Sequence, residues 1–175
     1  MLRNLIIILV ISFDAVLAVA QTQKYDIVTY KIPAGWEQKN DKDFRGFAKI
    51  DKKTNSKSFM LVYSSVLAGN LVASNHIELR KTIAEEPFTG SFTLEPDTTA
   101  KGDVTLVSSA GKGKANETEV NLLFITFTKG KKVLSFLAVM TDQTFVGEIE
   151  NFINTFNFDA KRTAKPSGKA KRKSR

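Results

Sequence analysis

The chain reads as an α+β domain in which a central antiparallel sheet is covered by helices on both faces, a three-layer α/β/α sandwich. Three observations predict it. Residues 120–128 and 133–140 are strand-like but apolar on both sides: Leu122 and Phe124 oppose Leu123, Ile125 and Phe127, while Val133, Leu137 and Val139 oppose Leu134, Phe136 and Met140. A sheet with one wet face would alternate apolar with polar residues. Phe145, Ile149, Phe152 and Phe156, widened by Val146 and Ile153, recur at helical spacing and form one cover. Val72, His76, Leu79 and Ile83 share a face of an earlier helix, which supplies the other.

Residues 1–20 read as a secretory signal. Arg3 gives the basic start, residues 5–13 the apolar run, and Ala18-Val19-Ala20 the cleavage pattern. That run is well short of the roughly 18 apolar residues of a spanning helix, and Asp14 is costly in lipid. The expected product is an exported protein starting near Gln21, periplasmic or extracellular. There is no cysteine, which excludes disulfides, thiol catalysis, thiolate metal sites and attachment through a lipidated cysteine. Residues 21–160 have the length of one domain with one core.

Residues 27–32 form the first strand, stopped by Pro33, after which Gly35 swings Trp36, the only tryptophan, back over the sheet. Residues 37–43 are polar and read as a loop, 44–51 as a strand, 52–57 as a hairpin turn and 59–63 as a continuous apolar strand. Gly69-Asn70 opens a helix running to about Ala84, and Pro87 closes it. Residues 88–102 carry little pattern beyond a short strand near 91–94. Residues 104–109 are a strand and 110–116 an exposed loop; 129–131 make the tight turn between the two best strands. Asp142 caps the last helix, and Phe158 ends the ordered chain as a short edge strand.

The formal charge of +8 is confined to one place. Lys161, Arg162, Lys165, Lys169, Lys171, Arg172, Lys173 and Arg175 supply eight cations without an acid. Setting these and Arg3 aside, residues 21–159 hold 17 basic residues against 17 acidic ones, Asp14 being the remaining acid. The folded region is therefore formally neutral. The tail has no apolar residue larger than alanine and cannot offset its own ordering entropy, so disorder is expected over residues 161–175. It is either an arm for anionic envelope polymers and lipid headgroups or a solubilising end. No aromatic residue interleaves the cations, which leaves base stacking unsupported, and no specific nucleic acid is expected.

The order of elements, with Pro33-Ala34-Gly35-Trp36 after the first strand, a hairpin, a helix, a long antiparallel hairpin and an aromatic-rich last helix, resembles the PsbP-like family. The Tyr25-Asp26-Ile27-Val28-Thr29-Tyr30 opening is most similar to small exported proteins of Bacteroidetes type. The resemblance covers roughly residues 25–158 and implies the same α/β/α sandwich in a non-catalytic accessory or binding protein; a monomer is expected. It transfers no ligand, because fold does not specify function.

Few residues offer chemistry. His76, the only histidine, is a general-base candidate, but its apolar neighbours along the helix make it a residue of the helix–sheet seam. Glu85-Glu86 and the Asp41/Asp43 pair do not converge across a cleft as a hydrolase requires, and Ser64, Ser65, Ser108 and Ser109 lie in no nucleophile elbow. Gly111-Lys112-Gly113-Lys114 lacks the spacing of a phosphate loop. Tyr30, Trp36 and Phe44 are the residues available for a ligand groove; alternatively, Trp36 is a core or lid residue that fixes the first turn. No cofactor and no metal is expected. The leading reading is a non-enzymatic envelope protein whose basic tail contacts anionic polymers or lipids. The alternatives are an inhibitor or immunity-type partner of another exported protein, which would show an exposed apolar patch, and a hydrolase with a cleft near Trp36 or His76.

Overall fold

The strands dominate. The computed structural model describes residues 21–89, 91–92 and 96–158. The expected signal at 1–20 and the basic segment at 161–175 lie outside these residues. β1 (Thr22–Tyr25) and β2 (Val28–Lys31) form a hairpin of their own. Nine further strands form one antiparallel sheet: β3 (Glu37–Asn40), β4 (Phe44–Ile50), β5 (Lys57–Tyr63), β6 (Val66–Leu67), β7 (Ser91–Phe92), β8 (Asp97–Lys101), β9 (Val104–Ala115), β10 (Thr118–Lys129) and β11 (Lys132–Met140). Their order is β3-β4-β5-β11-β10-β9-β7, with β6 also beside β11 and β8 also beside β9.

Two short helical stretches complete the chain. α1 (Val72–Arg80) runs through a π-helical turn, Lys81–Glu85, into α2 (Glu86–Phe88), while α3 (Val146–Asn154) stands alone. With 51% of the described residues in strands and 19% helical, the described structure is mostly β, and the expected three-layer α/β/α sandwich is not what forms. The physical reason lies in what two-sided apolarity demands. It requires a cover on each face without specifying a helical layer. On one face α3 shares the cover with the β1–β2 hairpin, so that Tyr25, Val28 and Tyr30 pack with Phe145, Ile149 and Phe152 against Phe47, Met60, Ile125 and Phe136. On the other, the α1–α2 stretch alone places Ala84 and Phe88 on Leu122, Phe124, Leu137 and Val139.

Several segments depart from the sequence reading. The strand expected over residues 27–32 forms as β2, but an unforeseen strand, β1, precedes it, joined through Asp26, whose φ is a positive 49°. Residues 37–40 are not loop but a polar edge strand, and their charged and amide side chains guard an edge that would otherwise pair with another chain. Residues 110–115 are not a flexible loop but the outer half of β9, paired with β10 through a two-residue turn in which Asn116 and Glu117 both have positive φ. Gly111 is required there. A Cβ would lie 2.6 Å from the Ser91 carbonyl oxygen and 2.9 Å from the Phe92 Cα, so β7 can approach only a glycine.

Pro87 does not close the helix; α2 continues to Phe88 and ends at Thr89 in the left-handed region. The π turn, where the Glu86 amide reaches the Lys81 carbonyl, inserts an extra residue. This shifts the buried positions from His76 to Ala84 and Phe88. Asp142 does not cap α3, which starts after Phe145; it accepts a 2.8 Å bond from the Thr144 amide and another from the Ser56 hydroxyl. Phe158 adds no strand: Asn157 makes a single bridge to Thr29, and Phe158 packs 5.3 Å from the Phe127 ring.

Candidate functional site

Three places in the fold gather polar or exposed side chains, the first at the turn after β2. Gly35, with φ of 75°, brings Trp36 under α3, where its ring meets Phe145 at 5.8 Å and is almost wholly buried. The indole Nε1 donates to Glu148 Oε2 at 2.7 Å, and Lys49 Nζ donates to both Glu148 oxygens at 2.8 Å. Beside this triad lies an open cleft of about 440 Å³ lined by Lys31, Pro33, Lys49, Glu148, Asn151 and Thr155, among others. Its one carboxylate already serves three donor contacts, two from a cation. That arrangement ties the first turn to the last helix and keeps both Glu148 oxygens engaged by an indole N–H and an ammonium.

The expected groove of Tyr30, Trp36 and Phe44 does not assemble. Tyr30 and Trp36 belong to the core beneath α3, whereas Phe44 is buried in the separate core on the α1 side. Residues 44 and 47 sit on opposite faces of β4, so the sheet itself separates Phe44 from the others. Tyr30 is enclosed by Phe47, Phe152 and Phe156, and its burial pushes the phenol up to about 12.

His76 is fully buried on the opposite face. Nδ1 lies 3.0 Å from Thr126 Oγ1 and Nε2 3.0 Å from Ser109 Oγ, and the ring packs 5.3 Å from Phe124. Burial, with the Arg80 cation adding to it, lowers its pKa to about 4, so the neutral imidazole is the resident form. A serine hydroxyl against an imidazole has the outline of a nucleophile and base. Here Ser109, His76 and Thr126 are all buried, at 4%, 0% and 1% exposure, which leaves no space for a substrate carbonyl. They form a polar staple between α1 and β9–β10.

The other candidates resolve locally. Asp41 Oδ1 accepts the Asp43 amide at 3.1 Å, Asp43 faces Lys42 at 3.7 Å, and Glu85 pairs with Arg80 at 2.9 Å. Ser64 Oγ bonds the Tyr25 hydroxyl at 2.5 Å, and the Ser65 amide donates to Asp26 Oδ2 at 2.6 Å. Gly111–Lys114 is strand. Among the described residues no cluster of three or more His, Cys, Asp or Glu side chains could hold a metal, and no helix is long and apolar enough to cross a membrane. The eight tail cations from Lys161 to Arg175 lie outside the described residues.

The third place was missed by sequence reading: one end of the sheet. The turns β1–β2, β3–β4, β8–β9 and β10–β11 meet there with β6, as the pairings Phe44↔Tyr63, Val104↔Lys129 and Leu67↔Lys132 require. Leu67 is 81% exposed, Leu71 67% and Val66 47%. Lys132 bonds Asp26 at 3.3 Å and Lys129 pairs with Asp103 at 3.4 Å, while Lys101 and Lys131 stand exposed on neighbouring turns. Lys129 Nζ also donates to the Phe158 carbonyl at 3.1 Å, so the last described residue sits at this same end. The only available signal was that residues 66–71 hold three large aliphatics but extend no strand or helical stripe. No protein-family model matches the chain, and no curated protein is detectably similar to it.

Proposed function

We propose that this is an exported binding domain of the cell envelope, held to an anionic partner by its basic C-terminal segment, and not an enzyme. The observation that carries the reading is the segregation of charge: a formally neutral domain over residues 21–159, followed by eight cations without an acid. Such a segment attracts phosphate- or carboxylate-bearing surfaces at long range, with a strength that falls as salt shortens the Debye length. The geometry is consistent with a domain that contributes shape. Glu148 is engaged by Trp36 and Lys49, and His76 by two buried hydroxyls.

The test is fractionation of cells expressing the full chain and a version stopped after Ala160, with the envelope washed at rising salt. The full chain is expected in the envelope fraction and eluted by salt, with the shortened chain released at once. Equal retention of the two, or retention that salt does not touch, overturns the reading.

A further inference from the structure

At the end of the sheet where β6 meets the β10–β11 turn, the fold exposes aliphatic side chains that its core does not use. Val66 and Leu67 pair with Val133 and Lys132, and the Ala68 amide donates to the Lys131 carbonyl at 2.9 Å, which fixes this segment against the turn. Leu71 follows at the start of α1, where Asn75 holds the Gly69 amide at 2.9 Å. The leucines are therefore presented outward by a tied backbone.

Their surroundings are cationic on balance. Asp26, Asp103 and Asp43 are matched by Lys132, Lys129 and Lys42, and Asp41 of the same turn is outnumbered by the exposed Lys101 and Lys131. Phe158, the last described residue, is at the same end. We infer that the Val66–Leu67–Leu71 tip inserts into the headgroup region of an anionic lipid bilayer while the neighbouring lysines bind its phosphates. The inference rests on the envelope-binding reading and names the anionic partner as lipid.

Chemistry selects this occupant over the others. A soluble polyanion would engage the lysines but gives aliphatic side chains no place to leave water. A protein partner is recognised chiefly through aromatic and arginine anchors set in pockets, and this tip carries leucine, valine and lysine. Marginal binding by one signal becomes stable when a second is added, which here are aliphatic insertion and the neighbouring lysines.

The purified full chain is to be sedimented with vesicles of phosphatidylcholine alone and of phosphatidylcholine with phosphatidylglycerol, and titrated with inorganic polyphosphate as a soluble polyanion. Binding is expected to the anionic vesicles. The Leu67→Ser, Leu71→Ser double variant should lose affinity roughly tenfold or more, because two aliphatic side chains no longer leave water. Its thermal unfolding temperature should not fall, since both positions are exposed and serine is a favourable N-cap for α1 at position 71. Leu67→Trp should retain binding and show a blue-shifted emission on anionic vesicles. Unchanged vesicle affinity in the double-serine variant, absence of a spectral shift in Leu67→Trp, or binding to polyphosphate without binding to vesicles overturns the inference. Envelope retention abolished by protease treatment of the envelope also overturns it, by revealing a protein partner. If vesicles are ignored but salt-sensitive, tail-dependent envelope retention persists, only the lipid inference fails; if that retention is absent too, the envelope reading fails with it.

Discussion

The two faces of the sheet are sealed by different means. The face under α3 is an aromatic cluster in which Phe152 lies 5.0 Å from Phe47, 5.1 Å from Phe156, 5.5 Å from Tyr30 and 6.1 Å from Phe136. The face under α1 is a smaller cluster of mixed aliphatic and aromatic residues with a polar staple in it, His76 between Thr126 and Ser109. Aromatic packing draws its stability from buried area and tolerates a range of approach angles. A staple of three buried polar groups adds little net stability, yet becomes costly once a member is unpaired. The first face therefore supplies most of the stability, and the second fixes where one helix sits.

The sharpest way to break this comparison is Phe152→Ala. A buried phenylalanine truncated to alanine should cost about 3–5 kcal/mol, read as a lower midpoint in denaturant at unchanged slope. An effect below about 1 kcal/mol would mean that the aromatic face is not the stabilising one.

Next in size is acid sensitivity confined to the other face. His76 titrates near 4 in the fold and near 6.5 when unfolded. As pH falls below 6.5 the unfolded chain takes up a proton that the folded one refuses, so the stability present above 6.5 is lost progressively down to about 4. The loss is about 3 kcal/mol. Denaturation at several pH values should show this slope in the natural chain and not in His76→Leu, although that variant starts less stable because two hydroxyls lose their partner.

Gly111→Ala sharpens the comparison at the sheet edge. Its Cβ would meet the β7 backbone, which cannot rotate aside as a side chain would. A cost of about 1–3 kcal/mol is expected, with amides of β7 exchanging faster. The smallest effect belongs to Trp36→Phe, which keeps the ring on Phe145 but removes the bond to Glu148. About 1 kcal/mol should be lost, because Lys49 still holds the partly exposed carboxylate.

The unequal legibility of these regions has a common cause. β10 and β11 were readable as continuous apolar runs on either side of a tight turn, and α3 because its apolar residues recur at helical spacing; both signals are local. Edge strands β3 and β8 were not, since their residues are polar on both sides and only a neighbour's hydrogen bonds make them strands. The expectation of helical layers failed for a related reason: Leu122, Phe124 and Phe136 declare that they need a cover without declaring its type. Of the candidate site residues, Trp36 was legible as a turn anchor but its Glu148 partner was not, being 112 residues away along the chain. The grouping of Tyr30, Trp36 and Phe44 ignored the pleat, which sends Phe44 to the far face.

By itself, then, the sequence determined the two-sided sheet, the aromatic last helix, the neutral charge of residues 21–159 and the basic run that follows, all of which are sums or local patterns. Tertiary structure alone decided that a hairpin would share the cover with α3, that His76 would find two hydroxyls, and that Val66, Leu67 and Leu71 would stand beside the lysine-bearing turns. Those outcomes depend on which strands become neighbours. Pairing across the chain is a matter of register and relative position, which no run of adjacent residues encodes.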